Sequence, residues 1–267
     1  MTNVRVTRET MDQLYRRYTR AEFLSPDPLQ LVAPYRHVRD REVVGLVVSA
    51  LSHGRVGQIL NSARRVLDVL GERPGELLAN SRPRELRARL EAFKHRFNTG
   101  RQLADMLLGA RRLVWLFGSL EACFAGGVGE QDETLAPGLG RFVDLLDPRS
   151  RCGHLLPRPA KGSACKRLWL WLRWMIRADA IDPGGWNPAW RARLVVPLDT
   201  HMHRMGQALG LTSRRSADAK TAIEITRSLR RFDPDDPVKY DFALTRLGIH
   251  PDVDPTTELA RLCKKKR

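Results

Sequence analysis

Two stretches of the chain hold residue types able to do covalent or metal chemistry. The first, residues 197–204, reads PLDTHMHR and sets Asp199, Thr200, His201 and His203 within five positions. A shared metal ion needs both histidines on one face. His-x-His spacing gives that on a strand, but on a helix the two side chains diverge by about 200° around the axis. Met202, Met205, Leu209 and Leu211 follow, with Arg204 and Gln207 between them, which is a helical pattern. His201 and His203 therefore face apart, no metal is expected, and a metal-dependent hydrolase is disfavoured. Asp199 reads instead as a helix N-cap after the apolar run 194–198. There its carboxylate accepts backbone N–H bonds at the positive end of the helix and stays ionised. For an isolated Asp, a purely capping role is the simpler explanation.

The second stretch, residues 162–177, reads GSACKRLWLWLRWMIR. With Ser163 as N-cap, Lys166 falls at the third helical position, where a capping box places Glu or Gln. A cation there opposes the helix dipole, a local conflict that suggests a task for the residue. The same field, with desolvation by the neighbouring Trp and Leu, favours a neutral, nucleophilic amine. The alternative is an exposed lysine at a frayed helix start. Trp171 and Trp174 share a face by their i, i+3 spacing and read as core rather than as a base-stacking platform.

The elements that must position these residues are helical. Apolar residues recur at helical spacing over 10–23, 40–51, 56–70, 84–93, 100–125, 163–180, 200–209, 216–231 and 237–247, with Asp40 as the expected N-cap of the second. Strand alternation bounded by hairpin turns is essentially absent, so the fold class is all-α. The glycine-rich stretch 126–133 reads as a surface loop. It suggests one two-lobed helical domain over 1–260 with a seam near 126–137 and a cleft between the lobes, followed by a basic tail at 261–267. Asp236-Pro237 with Lys239, Tyr240 and Asp241 reads as a cap and helix start with a structural role. His53, Gly54 and Arg55 sit at a helix end that could border a pocket.

Composition narrows the partners. Lys and Arg number 46 against 30 Asp and Glu, a formal charge of +16. An excess of that size suggests a polyanion such as nucleic acid, the bland alternative being a chain that uses Arg heavily throughout. Cys123, Cys152, Cys165 and Cys263 fit neither a disulfide framework nor a zinc or iron-sulfur spacing. No stretch approaches the roughly 18 consecutive apolar residues of a membrane span. A soluble cytoplasmic protein is expected.

A lysine near the start of one helix, a connector, and then Asp199-Thr200-His201 with Arg204 and Leu209-Gly210-Leu211 resembles the helix-hairpin-helix DNA glycosylases. The likeness is to their endonuclease III-like and archaeal 8-oxoguanine glycosylase-like members. The helix over 40–54 and the helices over 217–248 are similar to that superfamily's first and final helices. The chain also resembles an uncharacterised bacterial family marked by Ser-Ala-Cys-Lys-Arg, Leu-Arg-Trp-Met and Asp-Pro-Val-Lys-Tyr-Asp-Phe, here at 163–167, 172–175 and 236–242. Three features depart from the superfamily. The hairpin 158–164 keeps one glycine, the lysine and aspartate lie 199 − 166 = 33 residues apart, and the four-cysteine iron-sulfur loop is missing.

The resemblance implies a monomeric base-excision repair enzyme without cofactor, acting at the bacterial nucleoid on double-stranded DNA that contains a damaged base, with an oxidised purine such as 8-oxoguanine as the leading candidate. Lys166 would be the nucleophile and Asp199 the catalytic carboxylate, with Gly162, Ser163, Arg167, His201 and Arg204 contacting DNA. If Lys166 were exposed, Asp199 could instead activate water, giving a glycosylase without lyase activity. A non-catalytic nucleic-acid-binding protein on the same helical scaffold is the alternative from a different class.

Overall fold

The computed structural model describes residues 6–249; the basic tail at 261–267 and Cys263 lie outside them. Among the described residues the chain folds as α1 (Arg8–Tyr18), α2 (Val38–Leu51), α3 (Val56–Leu70), α4 (Pro74–Asn80) and α5 (Pro83–Leu90). A two-residue hairpin follows, β1 (Lys94–His95) and β2 (Asn98–Thr99). The remaining helices are α6 (Gly100–Phe117), α7 (Leu120–Ala125), α8 (Ala136–Leu146), α9 (Lys166–Ile176), α10 (Thr200–Ala208), α11 (Ala219–Arg230) and α12 (Tyr240–Ile249), with short 3-10 turns between several of them. Among the described residues the protein is all-α apart from that hairpin.

Helix α2 is the organising element. Residues 40–51 are buried without exception, so the valine-rich run folds as a helix enclosed on every side. It crosses α9 so closely at Gly45 that an added Cβ would lie 3.0 Å from Trp171 Cδ1. Trp171 fixes this crossing by donating its indole N–H to the Glu42 carbonyl. On the other sides α2 meets α3 and α4, while α12 packs against α1 and α10. One continuous apolar core runs through all of these contacts.

Several expected boundaries shift for local reasons. The N-cap of α2 is His37, and Asp40 instead lies in the first turn, accepting the Gly75 N–H at 2.8 Å. The expected helix 100–125 breaks at Gly118, which takes a left-handed conformation, and Ser119 caps the new helix α7. The first helix stops at Tyr18, with a separate 3-10 turn at Ala21–Phe23. Helices α4 and α8 were hidden from the periodicity by their proline and glycine content, though proline sits in the first turn of each, where helices tolerate it. The loop 126–133 is tied down by Glu133, which pairs with Arg227 and Arg230.

Beneath the α9–α12 contact lies a buried ionic network. Arg173 meets Asp182 at 2.9 Å and Asp241 at 2.5 Å; Arg177 meets Asp182, Asp179 and Asp236. Such a network fixes geometry more than it adds net stability, because desolvating the charges offsets most of their attraction. Asp236 is thus spent on Arg177 and makes no side-chain cap.

Candidate active site

The start of α9 differs from the sequence expectation. Ser163 is not the N-cap: it pairs with Asp218 in an isolated bridge, and its Oγ accepts the Cys165 N–H at 3.2 Å. This turn leaves Cys165 in a left-handed conformation (φ 47°), and the helix begins at Lys166 itself. Lys166 is therefore the first helical residue rather than the third. Its conflict with the dipole persists, since the field acts throughout the first turn.

Asp199 resolves that conflict. It caps α10, with Oδ1 accepting the Met202 N–H at 2.9 Å, while its other oxygen, Oδ2, lies 2.9 Å from Lys166 Nζ. Two helix starts thus face each other across one ion pair. Burial raises the Asp199 pKa, but Lys166, the Met202 N–H and His201 together hold it below the usual carboxylate value. The side chains are 33% and 18% exposed, so a ligand can reach both.

The pair opens into a cavity of about 330 Å³, at the lower end of small-ligand pockets. One side is formed by Ser52, Gly54 and Arg55 between α2 and α3, the other by Leu170, Arg173 and Trp174 of α9. Asp241 and Arg246 of α12 also line it, as does Asp27. The expectation that the 53–55 turn borders a pocket holds for Gly54 and Arg55. Beside Gly54 lies Arg96 of the hairpin turn: an added Cβ on Gly54 would sit 2.7 Å from its Nη1. The next residue, Phe97, is 67% exposed and takes the Arg96 guanidinium over its ring.

The other residues singled out from the sequence are dispersed. His201 lines the cavity, whereas His203 turns away to the Arg214 carbonyl at 2.9 Å, as the helical period requires. Gly162 (φ 73°) and Ser163 are exposed along a shallower groove that Lys166 also borders. Arg167 donates to the Ala50 carbonyl at 2.8 Å, and burial lowers its pKa to about 10. Arg204 is exposed. Trp171 and Trp174 are buried, as expected for core residues.

A family model described as a protein of unknown function (DUF2400) matches residues 27–250. The chain belongs to this DUF2400 family. The match takes in Lys166, Asp199 and the cavity walls from Asp27 onward. No curated protein and no solved structure matches the chain.

Sequence reasoning missed Arg173, Trp174, Asp241 and Arg246 as cavity residues. The segments Leu-Arg-Trp-Met and Asp-Pro-Val-Lys-Tyr-Asp-Phe carry three of them. Arg173 and Asp241 are charged residues between large apolar neighbours, Leu172 and Trp174 for the one and Tyr240 and Phe242 for the other, a signal that a buried polar group needs a partner.

Proposed function

We propose that this protein is a DNA repair glycosylase with AP-lyase activity, on a two-lobed scaffold like that of the helix-hairpin-helix glycosylases. The observation that carries this reading is the 2.9 Å contact between Lys166 Nζ and Asp199 Oδ2 beside a cavity. A primary amine next to a carboxylate is the minimal set for displacing a base at C1′.

In this mechanism the damaged nucleotide rotates out of the duplex and its base enters the cavity. Lys166 gives a proton to Asp199 and attacks C1′ with the freed lone pair. The C1′–N bond breaks, its electrons leave with the base, and the base takes up a proton. Opening of the sugar ring yields a Schiff base on Lys166. Loss of a C2′ proton then expels the 3′ phosphate by β-elimination, and water releases the enzyme. Once Asp199 has passed the proton received from Lys166 on to the departing base, its carboxylate offsets the positive charge of the Schiff base.

The surroundings support DNA as the substrate. The charge of +16 suits a phosphate backbone. Phe97, exposed in the hairpin turn next to Arg96, is suited to unstacking a base step. Borohydride trapping on duplexes bearing 8-oxoguanine, an alkylated base or a preformed abasic site tests the proposal. A covalent adduct lost in Lys166→Ala is expected; no adduct and no base release on any duplex would refute it.

A further inference from the structure

The turn over 147–151 is built more firmly than a surface connection needs. Asp147 is buried, and its carboxylate accepts two backbone N–H groups, from Arg151 at 2.8 Å and from Cys152 at 3.0 Å. On the other side Arg158 Nη2 donates to the Asp147 carbonyl at 2.6 Å and to Ser150 Oγ at 2.9 Å. Between these anchors Ser150 takes a left-handed conformation (φ 53°), which residues other than glycine adopt at a cost. The turn therefore fixes the backbone of Arg151 while leaving its side chain exposed.

Arg151 borders an open groove of about 440 Å³ whose other lining residues are Arg87, Ala88, Glu91 and Arg101. Arg87 comes from α5 and is held by Asp105 at 2.7 Å. Arg101 is the second residue of α6, whose start is locked by the reciprocal Thr99–Gln102 capping box. Helix α6 packs against both α5 and the 3-10 turn Gly153–Leu155, so the elements carrying the three arginines are joined to one another. Three guanidinium groups share the groove with one carboxylate. Neither Arg101 nor Arg151 has an ion-pair partner among the described residues, although Glu91 lines the same groove. Exposed guanidinium groups left unpaired on a fixed backbone are suited to phosphate oxygens, which they can grip through two parallel N–H bonds.

The groove adjoins the hairpin. Strand β2 runs directly into α6, and the Phe97 ring meets that of His154, three residues beyond Arg151, with centroids 5.8 Å apart. Phe97 and Arg101 are separated by four residues of chain. Such a segment spans at most about 14 Å, or about four base steps along a duplex strand. We propose that Arg87, Arg101 and Arg151 form a phosphate-binding surface for duplex DNA, gripping the backbone a few nucleotides from the rotated-out base. Its position along the duplex rests on the glycosylase reading, whereas binding itself can be measured without any chemistry.

The test uses the full chain and a duplex carrying a tetrahydrofuran abasic analogue, which cannot form a Schiff base. Arg101→Gln combined with Arg151→Gln should make the dependence of log affinity on log salt shallower by about 1.8, at about 0.9 for each lost phosphate contact, and weaken binding by about ten-fold or more near 100 mM salt. Glu91→Gln should act in the opposite direction. Removing the groove's carboxylate should tighten binding by about three-fold, the repulsion of two unit charges about 6 Å apart in water, a gain that misfolding cannot produce. Phosphate ethylation interference should reveal sensitive phosphates within about six nucleotides of the analogue that become insensitive in the double variant, while those at the analogue itself stay sensitive. Melting curves confirm that each variant is folded. An unchanged salt dependence in the folded double variant, weaker binding by Glu91→Gln, the same interference pattern in both proteins, or no duplex binding by the wild type would each overturn the proposal. Borohydride trapping on an abasic duplex is scored separately. Its failure with the salt and interference results intact removes the glycosylase reading and leaves the DNA surface, and its success with an unchanged salt dependence removes the surface alone.

Discussion

Replacing Asp199 with Asn separates the two tasks of this side chain. The cap should survive, because Asn serves as an N-cap about as well as Asp and can still accept the Met202 N–H now bonded at 2.9 Å. The ion pair with Lys166 is lost, but with the partners 33% and 18% exposed it contributes only about 1 kcal/mol or less. For a chain of this size that lowers the melting temperature by about 2–4 °C. Removing a pre-positioned charge from the reacting centre should instead slow the chemistry by about 10²–10³-fold, or about 2.7–4 kcal/mol. Asp199→Ala also loses the cap and should cost about 1 kcal/mol more stability with a similar rate defect. Single-turnover borohydride trapping on an abasic duplex, beside thermal melting, reads both effects. A folded Asp199→Asn protein that traps within three-fold of the wild-type rate would refute the assigned role.

Arg173→Met should destabilise the fold by about 3–5 kcal/mol in urea titration, because it leaves the buried Asp182 and Asp241 carboxylates short of a cation; a loss below about 1 kcal/mol would contradict the network. His53 accepts from Asn98 Nδ2 at 2.8 Å, and burial, with Arg167 nearby, lowers its pKa from 6.5 to about 4. The folded state therefore favours the neutral ring. That contribution is complete above pH 6.5 and is lost as pH falls toward 4, so His53→Asn should flatten the melting profile over this interval. Duplex affinity should fall by about ten-fold or more between roughly 50 mM and 200 mM salt, the mark of phosphate contacts; salt-insensitive binding would contradict a DNA backbone partner.

The helical class and the Asp199 cap were legible in the sequence because both depend on local patterns: the period of Met202, Met205 and Leu209, and a short polar side chain at a helix start. The same period separated His201 from His203. The true beginning of α9 was not legible, since it depends on a long-range bridge from Ser163 to Asp218 that forces Cys165 into a left-handed turn. Asp241 was hidden for a related reason. Its motif looks like an ordinary helix start, and only tertiary packing brings it beside Arg173 and into the cavity wall. The hairpin carrying Phe97 has two-residue strands, too short for any alternation to show.

The central claim is that the Lys166 amine is the nucleophile. Borohydride reduction of the wild-type protein on an abasic duplex, followed by proteolysis and mass spectrometry, tests it most directly. The account predicts a sugar remnant on Lys166 and no adduct in Lys166→Ala. A remnant on a different lysine, or undiminished trapping in that variant, would contradict it.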